Sequence, residues 1–307
     1  MKVVALSGGV GGARLVDGLA ASLQADELEV VVNTGDDFSH CGLWVCPDLD
    51  TVMYTLSGRA PVERGWGLAQ EDYRAMEGLK VLGGPDWFAL SDQDLSTHLR
   101  RTHRLNQGAS LTTVTAELMR AHAIEHRVLP MCDVPHPTTL RCGDQVLDFQ
   151  EWFVAQRAQP QVSEVCFPEG GMASKQVIDS INGADLIIVT PSNPYLSVDP
   201  MLSLTNLRAA LDQRRCPCIA VSPIVGGRAI KGPLAELISS VANREPSAAA
   251  VADHYRDLVD AWVIEEGDAI QTDSPVLSTQ TIMSDQSKRK MLAGAVLEWA
   301  QTLSSRL

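Results

Sequence analysis

Val3-Val4-Ala5-Leu6-Ser7-Gly8-Gly9-Val10-Gly11-Gly12-Ala13-Arg14 stands near the start of the chain, and Leu28-Glu29-Val30-Val31-Val32-Asn33-Thr34-Gly35-Asp36-Asp37 follows one helix later. Val3 to Leu6 is an apolar run too short for a helix and suited to a buried parallel strand. Four glycines between Ser7 and Gly12 then let the backbone turn sharply and present bare N–H groups at the head of the next helix, a seat for an anion. Leu15, Val16, Leu19, Ala20 and Leu23 recur with a helical period, and Leu28 to Val32 returns as a second buried strand. A βαβ unit of this kind predicts an α/β fold: a Rossmann-like parallel sheet with helices on both faces.

Neither common phosphate signature fits the turn. A dinucleotide fingerprint beginning at Gly9 needs Gly or Ala at position 14, where Arg14 stands, and the Gly-Lys-Ser/Thr ending of a P-loop is absent. The second turn carries more weight. In an open parallel sheet, Asn33 to Asp37 lie at the carboxyl edge of the second strand and face the crevice that the glycine turn faces. One turn offers N–H donors and the other carboxylates, so a phosphate and a divalent cation between them would satisfy both. Asp48 and Asp50 follow, and Asp48 is expected to cap the helix beginning there. Capping explains one acid, which leaves Asp36, Asp37 and Asp50 as candidates for metal or hydroxyl binding.

With 307 residues and 45% apolar content the chain has ample material for a core. Its 25 Lys and Arg against 38 Asp and Glu give a net charge of −13, which argues against non-specific binding to nucleic acid or anionic membrane but not against a small anion held by local cations. Seven cysteines, without paired CxxC motifs, fit a reduced, cytoplasmic protein better than a disulfide scaffold. A first strand starting at Val3 leaves no signal peptide to expect, and no apolar run approaches a membrane span.

Further along, Trp66 in Arg64-Gly65-Trp66-Gly67 is a candidate to stack on a flat ring or to plug a loop. Helices are expected over Glu71 to Leu79, from Ser91 or Asp92 through Arg104, and over Ser110 to Ile124; His122 and His126 read as surface residues. Residues 127–168 are read as a smaller β-rich insertion with a hairpin turning at Gly143-Asp144, inside a single domain spanning 1–307. The α/β rhythm resumes with a helix over Ser174 to Ile181 and a strand over Ala184 to Thr190. The strand ends in Ser192 and Asn193, fixed between Pro191 and Pro194. Cys218 to Val221 is another strand, and Gly226, Gly227, Arg228 and Lys231 after it outline a second anion site. Late strands at Trp262 to Ile264 and Val276 to Ile282 precede a closing helix, Gln286 to Leu303, with Lys288, Arg289 and Lys290 facing solvent.

Taken together, these blocks resemble the 2-phospho-L-lactate transferase family, which assembles the deazaflavin coenzyme F420. The matching pieces are Leu6 to Gly12, Asn33 to Asp37, Pro47 to Tyr54, Gly65 to Gly67, Asp92 to Thr102, Pro191 to Pro194 and Ser222 to Gly227, in order along residues 1 to about 233. The resemblance implies a donor that is a guanosine diphosphate carrying a phosphorylated three-carbon acid. It implies an acceptor, the deazaflavin Fo, whose terminal ribityl hydroxyl attacks the acid-bearing phosphorus and releases GMP. It implies Mg²⁺ as cofactor and, by analogy, a homodimer. Residue by residue, Asp50 would contact the deazaflavin, Asp36 and Asp37 would hold metal or orient the hydroxyl, and Gly9, Gly11, Gly12, Thr34, Ser192, Asn193, Gly226, Gly227, Arg228 and Lys231 would surround the donor. Two departures stand out: Ser91-Asp92-Gln93-Asp94 replaces the family's Gly-Asp-Arg-Asp, and Arg14 follows the first glycine turn. Which acid the donor carries stays open between phospholactate, phosphoenolpyruvate and phosphoglycerate.

Two other classes compete at this point. A nicotinamide-dependent oxidoreductase would suit the sheet but not Arg14 or the Thr-Gly-Asp-Asp end of the second strand. A non-catalytic nucleotide-binding protein would bind without turnover.

Overall fold

A computed structural model describes residues 1–304. The strands are β1 (Val3–Ser7), β2 (Leu28–Val32), β3 (Phe38–His40), β4 (Leu43–Val45), β5 (Arg127–Pro130), β6 (Thr139–Cys142), β7 (Gln145–Asp148), β8 (Glu164–Cys166), β9 (Leu186–Val189), β10 (Cys218–Val221), β11 (Ile224–Val225), β12 (Arg228–Ala229), β13 (Ala261–Glu265) and β14 (Val276–Thr279). The α-helices are α1 (Gly9–Ala20), α2 (Pro47–Leu56), α3 (Arg74–Val81), α4 (Asp92–Asn106), α5 (Leu111–Ala121), α6 (Lys175–Asn182), α7 (Asp199–Leu202), α8 (Thr205–Asp212), α9 (Leu234–Ser240), α10 (Ala248–His254) and α11 (Gln286–Ser304), with single π-turns at Glu151–Ala155 and Pro194–Val198.

Seven strands form one parallel sheet in the order β14-β13-β10-β9-β1-β2-β5. The chain leaves β1 toward β2 and β5, then returns to the other side of β1 with β9. The carboxyl ends of β1 and β9 therefore flank the topological switch point, where an open α/β sheet leaves a crevice. Side chains alternate between two cores. Val4 and Leu6 join helices α6 to α10 and the small sheet on one face, while Val3 and Ala5 join α1, α2, α5 and α11 on the other. Strands buried on both faces account for the near-continuous Val, Ile and Leu runs.

The expected hairpin turns at Gly143-Asp144 and, with β8, makes a three-stranded antiparallel sheet. Arg127–Pro130, at the start of the stretch read as an insertion, is the edge strand of the main sheet. Ser91, Ser110 and Ser174 each cap the helix that follows, accepting from the amides of Asp94, Thr113 and Val177. One surface expectation is corrected: Arg289 turns inward to Asp17 of α1, 3.1 Å away, because α11 packs along α1. The hairpin β3–β4 was not anticipated. All seven cysteines are free thiols, and among the described residues no helix is long and apolar enough to cross a membrane.

Candidate active site

Asn33, at the carboxyl end of β2, ties the glycine turn to the acidic turn. Its Nδ2 lies 2.9 Å from both Asp36 Oδ1 and Asp48 Oδ2, and its Oδ1 accepts from the Gly35 amide. Asp48 in turn accepts from the Gly9 amide through Oδ1 at 2.7 Å. The anion seat expected at the head of α1 thus holds a carboxylate of this chain, and the two turns meet at one end of the sheet. Asp48 was expected to cap its own helix. Pro47 at the first helical position moves the cap back to Cys46, so the Asp48 side chain is free to reach across the crevice.

Two of the glycines are required here for different reasons, one for its backbone conformation and one for space. Gly9 takes φ +64°, favoured only by glycine, with open space where a Cβ would stand. A Cβ on Gly12 would come within 2.5 Å of Ser7 Oγ, 2.6 Å of Ser192 Oγ and 2.8 Å of Thr190 Oγ1. Ser192 itself is buried, and its hydroxyl meets both the N–H and the C=O of Gly8. Asn193 caps the π-turn at Pro194–Val198, accepting from Tyr195 and Leu196. These two side chains join the walls of the crevice.

Electrostatics separate the aspartates by partner. Burial pushes the Asp36 carboxyl well up, with the Asp48 charge beside it adding to the rise, and Asp48 sits at about 6 for the same first reason. Asp37 is also pushed well up by burial, and neither of its oxygens finds a hydrogen-bond partner meeting ordinary geometry, with the Cys46 thiol alongside. Asp50 differs. Arg101, 1% exposed, grips it with both terminal nitrogens, Nη1 at 3.1 Å from Oδ2 and Nη2 on Oδ1. His98 stands 3.2 Å from Arg101 Nη1 and is held neutral, its ring lowered to about 4 by burial. Asp94, raised to about 6 by burial and then by Asp50, meets the Tyr54 hydroxyl at 2.5 Å.

Asp37 and Thr34 open onto a cleft of about 320 Å³, walled by Trp44, Thr102, Asp133 and Pro135 among others. Thr34 is buried, with Oγ1 3.4 Å from Cys132 Sγ. Trp66 is 50% exposed, with the Arg64 guanidinium 4.3 Å over its ring. Gly226 and Gly227 form the tight turn of the β11–β12 hairpin, and the Gly226 amide also faces a carboxylate of this chain, Asp268, at 3.1 and 3.2 Å. Arg228 is exposed, and Lys231 donates to the carbonyls of Glu63 and Arg64.

No three His, Cys, Asp or Glu side chains converge as a ready metal cage among the described residues. A hard divalent cation that keeps several waters and binds substrate phosphates needs only one or two carboxylates. The unpartnered oxygens of Asp37, with the Asp36 carboxyl beside them, fit that need, and a cation bound there would offset the burial that favours their protonated forms.

From the sequence, Asn33 stands out only as part of the acidic turn, Asp48 as a helix cap among the crevice aspartates, and Arg101 and His98 only within the Asp92 to Thr102 block, with no site role. Pro47 was the available signal for Asp48. For Arg101 none existed, since a basic helix end reads as dipole complementation.

Fold and site define a doubly wound α/β protein with an acid-rich crevice at its switch point. Protein BH3568 from Bacillus halodurans shares the fold, with a TM-score of 0.60 at 18% identity over 95% of this chain and 90% of that one. The family model of 2-phospho-L-lactate transferase, CofD, matches residues 3–297, and the chain belongs to that family. Similar proteins include a phosphoenolpyruvate transferase of Thermobifida fusca, 37% identical over the full length of both chains. Another, from Kitasatospora aureofaciens, is 40% identical over 87% of this chain and 86% of its own. The one from Mycobacterium tuberculosis is 38% identical over 93% and 94%.

Proposed function

We propose that this chain transfers a phosphoenolpyruvyl unit from its guanosine diphosphate donor to the ribityl hydroxyl of Fo, releasing GMP, in F420 biosynthesis. The observation carrying the reading is the junction of the Gly9 amide, Asp48, Asn33 and Asp36 at one end of the sheet, beside the cleft that Asp37 enters. The choice of acid rests on the relatives named phosphoenolpyruvate transferase.

Asp37 orients the attacking hydroxyl and takes its proton on a carboxylate oxygen that no group of the chain engages in an ordinary hydrogen bond. The hydroxyl oxygen bonds to the acid-bearing phosphorus, and the bond from that phosphorus to the oxygen of GMP breaks. Asp36 and Asp37 would hold Mg²⁺, which when bound neutralises the diphosphate. Asp50, locked by Arg101, fixes the deazaflavin end from behind the cleft wall. Residues 1–307 work as one domain, cytoplasmic and paired as a homodimer.

Incubating the chain with Fo, Mg²⁺ and each guanylylated acid, followed by mass spectrometry, tests the reading. The phosphoenolpyruvyl product should form fastest, and no transfer from any of the donors would sink it.

A further inference from the structure

Two cations near the glycine turn are spent on backbone oxygen alone. Arg14, on α1, donates from Nη2 to the Val62 carbonyl at 2.9 Å, and its Nε is buried without a partner. Lys231 arrives from beyond the β11–β12 hairpin, on the other side of the switch point, and donates to the carbonyls of Glu63 at 3.0 Å and of Arg64. Neither meets a carboxylate within ion-pair distance among the described residues, although the chain carries 38 acids. Burial lowers both, and the Arg14 charge lowers Lys231 further.

What they hold is a strap. Residues 58–67 run between two glycines in the left-handed region, Gly58 at φ +69° and Gly67 at φ +67°, and Leu68 beyond is buried in the core. Between these ends Val62 and Trp66 are exposed. Gly65 lies so close to α1 that a Cβ there would stand 2.5 Å from Val10 Cγ1 and 3.3 Å from Arg14 Nη2. The strap therefore lies against the first turns of α1, at Val10 and Arg14 beside the glycine turn.

Two cations that feel each other's charge gain more from an anion than from neutral carbonyls, because the anion adds direct Coulomb attraction to both and cancels their mutual repulsion. Carbonyls and anion compete for the same N–H groups. We propose that Arg14 and Lys231 are a diphosphate-responsive latch: free of ligand they clamp the 58–67 strap beside the glycine turn, and a diphosphate takes both cations and releases it. The identity of the natural diphosphate rests on the transferase reading; the latch itself is testable without transfer.

Trp66 is a built-in reporter, since its indole lies under Arg64 within the strap. Inorganic pyrophosphate titrated into the full chain without Mg²⁺ should shift tryptophan emission saturably, and the shift should vanish in Trp66→Phe while calorimetry still detects binding. Arg14→Met and Lys231→Met should each weaken pyrophosphate binding about tenfold or more, and Arg14→Lys, which keeps the charge, should recover most of it. Wild-type pyrophosphate affinity in both methionine variants, or binding that leaves Trp66 emission unmoved, overturns the latch, as does failure of the native chain to bind. Native circular dichroism in each variant keeps unfolding apart from lost binding. A normal pyrophosphate response with no transfer from any guanylylated acid would instead count against the function proposed above.

Discussion

Asp48 Oδ1 accepts the Gly9 amide at 2.7 Å, joining α2 to the head of α1 across the crevice. Burial holds this carboxyl at about 6 against an ordinary 3.8, so between those values the folded chain keeps a proton that the unfolded chain has released. Ligand-free stability should then fall as pH rises through this window and level off above it, by at most about 3 kcal/mol. Asp36, pushed up by burial and by Asp48, adds in the same direction. Asp48→Asn should flatten the slope, which urea midpoints at pH 4.5 and 7.5 would reveal; an unchanged slope would remove Asp48 as its source.

Arg101 and Asp50 form a buried two-pronged ion pair. Arg101→Met leaves a carboxylate alone in the interior and should cost about 3–5 kcal/mol, whereas Arg101→Met combined with Asp50→Leu should recover most of that. Urea unfolding measures both. The double variant should fold yet transfer poorly, and near-native turnover in it would take Asp50 out of the acceptor site.

Gly12 leaves no room for a methyl group against Ser7, Thr190 and Ser192. Gly12→Ala should destabilise by about 1–3 kcal/mol through overpacking, read as a fall in melting temperature of roughly 2–4 °C per kcal/mol. A melting temperature at or above wild type would show that the walls yield.

Asp37→Asn keeps the size of the side chain and removes its basicity. Transfer should drop by about 10²–10⁴-fold, the usual contribution of a positioned acid or base. Chelating divalent ions should abolish transfer while leaving the circular dichroism of the apo chain intact, because both cores are built of apolar side chains. Collapse of the fold on chelation would assign the cation a structural part instead.

The parallel sheet was legible because Val3 to Leu6, Leu186 to Val189 and Cys218 to Val221 are apolar on both faces and end in turn residues. Local chemistry also announced the caps at Ser91, Ser110 and Ser174. The Gly226-Gly227 hairpin was less legible, since a glycine pair before basic residues reads equally as a phosphate loop or a tight turn. Long-range partnerships were illegible. Arg101 on Asp50, Lys231 on the 58–67 strap and Asp48 on Gly9 join residues 51, 167 or more, and 39 positions apart, distances that no local pattern encodes.

Placing β9 against β1 has a consequence for how the crevice comes into being. Its two walls meet through Gly8 and Ser192, 184 positions apart, so ring closure of over half the chain must precede any ligand seat. A nascent chain that has made only β1, α1 and β2 owns the glycine turn without the surface that shapes it, and the Gly8 amide gains its Ser192 partner only when β9 docks.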